Sequence, residues 1–237
     1  SHIQIGEKSM KKTIKSIFKI ILNERFSYLF FAIILLFLVR PFFGNAIAVA
    51  KITDIFVWFL VISCVWAVHE KRNHQWFAVT LAASVIAADI LHFLLQKTAT
   101  SWISQITVVL FIGYAVFAIL FYLVRQDEVT ADMVMAGASE YMLIGFLWAS
   151  LYMLVERAYP GSFIFSGAKD KSGFLYFSFV TLTTTGYGDT LPVSIYARSL
   201  AMLEAITGQL FIAIAVARLV SLYTVRGKKH HSKDKSY

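Results

Sequence analysis

Thr181-Leu182-Thr183-Thr184-Thr185-Gly186-Tyr187-Gly188-Asp189 is the stretch on which the reading of this chain turns. Glycines at 186 and 188 open backbone conformations that are closed to residues bearing a Cβ. Just before them lies 174–182, an apolar run too short to cross a bilayer; just after, a long apolar stretch begins at Ser194. A glycine-bearing backbone between two membrane spans can turn successive carbonyls toward one axis, and rings of carbonyls can replace the water shell of a cation. A glycine pair alone would read as an ordinary turn. Thr-x-Gly-Tyr-Gly-Asp, set after a short apolar helix and before a final span, is far more specific.

The rest of the chain supports a membrane setting. Of 237 residues, 58% are hydrophobic and only 15% charged, where a soluble domain carries about 25% charge. A soluble fold of this length has too little interior for that apolar content. Six spans are expected, near 26–43, 52–68, 75–95, 102–124, 140–159 and 194–224. The segment 160–193 between the last two holds the short run, which reads as a re-entrant helix; irregular backbone beside it is tolerated only where protein or water surrounds it. Lys8, Lys11, Lys12, Lys15, Lys19, Arg25, Lys71, Arg72 and Arg125, with the basic tail, outnumber the cations of the opposite loops. Both termini are therefore expected in the cytoplasm, with the re-entrant segment entering from outside.

The net charge of +8 reads as basic segments meeting anionic lipid rather than nucleic acid. Ile14, Ile17, Phe18, Ile21 and Leu22 recur at helical spacing opposite a set of lysines, so 1–25 is expected to be a basic amphipathic helix on the inner membrane surface. Ala46-Ile47-Ala48 imitates a signal-peptidase site, but Arg40-Pro41 interrupts the pattern and the segment is expected to be retained. Cys64 is the sole cysteine, so no intrachain disulfide forms.

The 181–189 stretch resembles the selectivity filter of the tetrameric potassium channel superfamily, and 140–224 resembles that family's pore unit. The resemblance implies an outer helix, a pore helix at 172–183, a filter at 184–189 and an inner helix at 194–224. It implies that Thr184, Thr185, Gly186, Tyr187 and Gly188 line dehydrated potassium sites, with Asp189 at the outer mouth. It implies an inner-helix hinge at Gly208 and cavity or gate positions at Gln209, Ile212, Val216 and Val220. One filter per chain implies a homotetramer, since four strands must meet around an ion. Three departures stand out. Thr185 replaces the commoner valine; Tyr176-Phe177 replaces tryptophans that help brace the filter tyrosine; and Val180 replaces a glutamate that in some bacterial members pairs with the filter aspartate.

The fold class expected is therefore an all-α integral membrane protein, with six transmembrane helices, a re-entrant pore helix and a filter loop, assembled as a tetramer. Residues 26–125 resemble a voltage-sensing domain in layout only. Each gating charge supplies about 2.3 kcal/mol per 100 mV, yet 102–124 holds no Lys or Arg and Arg125 stands alone at its end. A linker is expected at 126–139 and a basic cytoplasmic tail at 225–237. Asp89 and His92, three apart on one helical face, are candidate sensor residues or a structural contact. Glu204, four residues before Gly208, either responds to protons and ions near the cavity or accepts hydrogen bonds from a neighbour's pore helix.

No Ser-His-Asp grouping, zinc-binding repeat or phosphate loop occurs, so an enzyme is not expected, nor a cofactor or a transition metal. The function expected is passive potassium conduction across the plasma (inner) membrane without a conventional voltage sensor. A non-selective monovalent cation channel on the same scaffold is the alternative.

Overall fold

The computed structural model describes residues 25–39, 72–167 and 171–233. The expected amphipathic helix up to residue 24, the span at 52–68 and the last four residues of the tail lie outside the described residues. Six helices and one two-stranded ribbon are present among the described residues: α1 (Arg25–Val39), α2 (Arg72–Leu95), α3 (Thr98–Arg125), α4 (Ala131–Ala158), β1 (Phe163–Phe165), α5 (Lys171–Leu182), β2 (Thr190–Pro192) and α6 (Ile195–Lys233). Four helices are long and apolar enough to cross a membrane, over Ala78–Leu95, Thr98–Arg125, Ala131–Ala158 and Ile195–Leu222. At 1.5 Å per residue, the 28 residues of α3 reach about 42 Å. α1 and α5 are shorter apolar helices.

Two helix boundaries differ from the sequence expectation. The linker expected at 126–139 shrinks to 126–130, because α4 starts at Ala131. Thr130 caps it, its side chain accepting from the Met133 backbone N–H at 3.1 Å, and Asp132 in the first turn suits the positive end of the helix dipole. At the other end of the chain, α6 continues past 224 to Lys233. Its apolar content stops there but its helix does not: lysine and arginine are good helix formers, and cations suit a helix C-terminus.

Helices α1 to α4 share one apolar cluster, in which Leu29 and Ile33 of α1 meet Val85 of α2, Ile119 of α3 and Leu143 of α4. In a lipid setting such contacts bring little hydrophobic gain, so packing and hydrogen bonds hold the helices together. Polar tethers are present at the first turn of α4. Asp132 accepts from the Phe26 backbone N–H at 3.2 Å and from the Tyr122 hydroxyl at 3.0 Å. One carboxylate thereby joins the starts of α1 and α4 to the end of α3.

A second, aromatic cluster holds the other end of α4 against α5 and α6. Phe163 lies between Phe174 and Phe177, with ring centroids 5.4 Å away in each case, and Tyr152 stands 5.0 Å from Phe177. β1 pairs antiparallel with β2, Ile164 opposite Leu191. Glu156 accepts from the backbone N–H groups of Gly161 and Phe163, at 2.9 and 3.1 Å, and so fixes the turn into β1. The ribbon ties both ends of the α5 segment to one point, and α5 thus hangs between α4 and α6.

Candidate functional site: a backbone strand behind a short helix

The strand from Thr183 to Asp189 leaves the C-terminus of α5 and is held by backbone bonds running back to it. The N–H of Thr184 donates to Thr181 O at 2.9 Å, while those of Thr185 and Gly186 both donate to Val180 O, at 2.8 and 3.1 Å. Alternate residues take left-handed conformations: φ is 58° at Thr184, 53° at Gly186 and 76° at Gly188. Alternating handedness gathers successive N–H groups on one side of a strand. Here the N–H groups of Thr184, Thr185 and Gly186 turn to α5. Among the described residues no atom lies within 4 Å of a Cβ built on Gly186 or Gly188, so conformation and not space demands glycine there. Thr184 is β-branched and pays for its positive φ with strain.

Side chains brace the strand. Thr183 Oγ1 donates to Phe179 O at 2.7 Å and lies 2.9 Å from Thr185 Oγ1, which is then the donor between them. Tyr176 stacks on Tyr187, with ring centroids 6.4 Å apart and planes within 3°, and its hydroxyl donates to Asp189 Oδ2 at 2.8 Å. That bond, more than any other cause, holds the Tyr176 phenol above its ordinary value. Tyr176 thus contacts both Tyr187 and Asp189, while Phe177 turns into the aromatic cluster. Ser166 N–H closes the far end onto Asp189 O at 3.0 Å. In the single chain this strand is exposed, Tyr187 by 71%.

The remaining sequence candidates divide. Gly208 lies against the end of α5, where a Cβ would collide with the Leu182 carbonyl oxygen. The same carbonyl accepts from the Tyr141 hydroxyl at 3.1 Å. Gln209, Ile212, Val216 and Val220 share one exposed stripe of α6. Glu204 faces the other way: it is fully buried and hydrogen-bonded to Ser178 of α5 and Tyr152 of α4, both in its own chain. Asp89 accepts from Ser104 Oγ, and His92 Nδ1 lies 3.1 Å from Thr100 Oγ1, so each has a partner on α3. Among the described residues no three His, Cys, Asp or Glu side chains group as a metal site.

Two functional groups escaped the sequence reading. Glu140 is fully buried on α4, and neither carboxylate oxygen has a partner among the described residues. Arg218 of α6 donates through Nη2 to the carbonyls of Val124 and Gln126, at 2.8 Å each, where α3 ends. Arg218 sits inside an apolar stretch, and its target is a bare helix end that no side-chain pattern announces.

Residues 109–225 match a family model described as an ion channel. Over 88 residues the chain is 32% identical to the inward rectifier potassium channel Kirbac3.1 of Paramagnetospirillum magnetotacticum, a match spanning 35% of this chain and 27% of that protein. No solved structure matches the chain.

Proposed function

We propose, from the premise that this chain is a member of the potassium channel superfamily, that it conducts potassium passively through Thr184 to Gly188. The observation that carries the proposal is the strand's division of labour: its N–H groups are tied to Val180 and Thr181 of α5, and φ alternates at 184, 186 and 188. That arrangement suits a column of carbonyls that replaces the water shell of a cation, selective by the number and field of its oxygens.

The assembly that completes such a column is a homotetramer, because one strand offers only a quarter of each ring. The exposure of Tyr187 and of the Gln209–Val220 stripe in the single chain fits surfaces that four copies would turn toward a shared axis. In this reading the chain has six spans, with α5 entering from the outer side of the plasma (inner) membrane and both termini in the cytoplasm. Asp189 stands at the outer mouth, Gln209, Ile212, Val216 and Val220 line the cavity below, and the basic ends of the chain rest on anionic lipid. Potassium is the transported ion, and no catalysis, cofactor or nucleic acid is involved.

The test is the reversal potential of the purified protein in planar bilayers, with potassium on one side and sodium on the other. A value near the potassium equilibrium potential is expected. A value near zero would instead assign a non-selective cation pathway, with Thr185 in place of valine as the first suspect.

A further inference from the structure

Behind the filter strand, three helices meet in a buried polar knot. Glu204 of α6 and Ser178 of α5 are both fully buried, as is Tyr152 of α4. Tyr152 donates its hydroxyl hydrogen to Glu204 Oε2. Ser178 Oγ lies 2.5 Å from Glu204 Oε1 and 2.7 Å from the carbonyl oxygen of Gly145. Gly145 permits this approach, since a Cβ there would meet the Phe179 ring at 2.8 Å.

A count of hydrogens decides the state of the knot. Both Ser178 contacts are too close for two oxygens without a hydrogen between them. A carbonyl oxygen brings none, and a serine hydroxyl brings one. If Glu204 were ionised, one hydrogen would have to serve two acceptors, and a buried carboxylate would rest on neutral donors alone, which is costly. A proton on Oε1 resolves both problems. Glu204 then donates to Ser178, Ser178 donates to Gly145 O, and Tyr152 donates to Oε2.

We infer that Glu204 is a proton-binding site, and that the proton it holds fixes the pore helix between α4 and α6. The inference rests on the reading of α5 as the pore helix. The titratable side chains that face Glu204 are Tyr152 and Tyr141, both from α4; Ser178 faces it from α5, and no cationic side chain among the described residues acts on it. Loss of the proton forces Ser178 to choose between Gly145 O and Glu204. The α5 segment that carries Val180 and Thr181 then loses one of its two anchors, two to three residues before the carbonyls that hold the filter strand. Potassium conductance should therefore fall as pH rises, through a group remote from the ion path.

Glu204→Gln tests this, because its amide donates to Ser178 and accepts from Tyr152 as the neutral acid does. Two readouts apply to tetramers in bilayers or lipid. Infrared difference spectra of wild type against E204Q should show a protonated carboxylic acid carbonyl band in the wild type that E204Q lacks. The pH-driven loss of conductance should be absent in E204Q, which should stay at the low-pH level of the wild type. Ser178→Ala should keep the acid band but shift it, as its hydrogen-bond partner is gone. An unchanged infrared spectrum, or a wild-type pH response in E204Q, overturns the inference. A wild type that conducts potassium and sodium alike defeats the functional reading instead, and leaves the infrared result to stand or fall separately.

Discussion

Tyr176 donates its hydroxyl to Oδ2 of Asp189 at 2.8 Å while its ring lies flat on that of Tyr187. One side chain of α5 thereby restrains both the aromatic residue of the 183–189 strand and the acid that ends it. The two restraints are separable by mutation, because a phenylalanine keeps the stack and drops the bond.

Tyr176→Phe should leave assembly intact and free the Asp189 carboxylate. Sustained potassium current should decay faster than in the wild type, as the outer end of the strand loses its tether. The phenol is an acid held above its ordinary value chiefly by that bond. The bond is therefore fully present below the usual tyrosine range near pH 10, and is lost only as pH climbs through the raised value. Ultraviolet titration of phenolate should show one late-titrating tyrosine in the wild type that Y176F lacks. Identical titration curves would remove Tyr176 from this role.

Gly186→Ala separates conformation from space. Nothing crowds a Cβ there, yet φ is 53°, and a left-handed alanine costs about 1–2 kcal/mol. Tetramers should still form, and selective potassium current should disappear. Normal selectivity in G186A would refute the assignment of the filter.

Gly208→Ala should fail for the opposite reason. Its Cβ would meet backbone, the Leu182 carbonyl, which cannot swing aside as a side chain can. Overpacking of this kind costs about 1–3 kcal/mol, so the melting temperature in detergent should fall. An unchanged melting temperature would show that α6 can back away from α5 at no cost, and would leave Gly208 as a bending point only.

The helical class was legible in composition, and the positive-φ strand after α5 in its glycine spacing, because both are local: apolar length makes a span, and a positive φ asks for glycine. The start of α4 was misplaced: the span was expected from residue 140 behind a linker at 126–139, whereas the helix begins at Ala131 behind the Thr130 cap and runs through Glu140. A polar residue inside a span is a poor boundary marker when its burial is settled by neighbours far away in sequence. Glu204 shows the same limit. Its partners lie 26 and 52 residues away, and nothing in the spacing selects them from the other hydroxyls of α4 and α5.

Glu140 itself gives a stability prediction. It stands between Ala136 and Leu143 on α4, both fully buried in the cluster that joins α1 to α4, and neither of its oxygens has a partner among the described residues. A buried polar group left unsatisfied costs about 1–3 kcal/mol. Glu140→Met, of similar length and without the polar atoms, should raise the melting temperature and leave the reversal potential unchanged. A lower melting temperature would mean that the carboxyl serves the fold.

Arg218 supplies the last prediction. Its Nη2 bridges the carbonyls of Val124 and Gln126, so the part of α6 between Val216 and Val220 is tied to the end of α3. The last carbonyls of a helix have no partner within it, and a cation there satisfies them and meets the negative end of the dipole. The planar guanidinium reaches two acceptors at once, and lysine, a single point charge on a flexible stem, does so poorly. Arg218→Lys should therefore keep the charge but lose much of the tie, and Arg218→Met should lose it entirely. Because α6 carries the proposed cavity positions and the sole charge of α3 is Arg125 at its end, the tie is expected to restrain α6 mechanically. Single-channel recordings should show altered open probability in the order wild type, R218K, R218M, with the reversal potential unchanged throughout. Equal open probabilities across the three would show that α6 moves independently of α3.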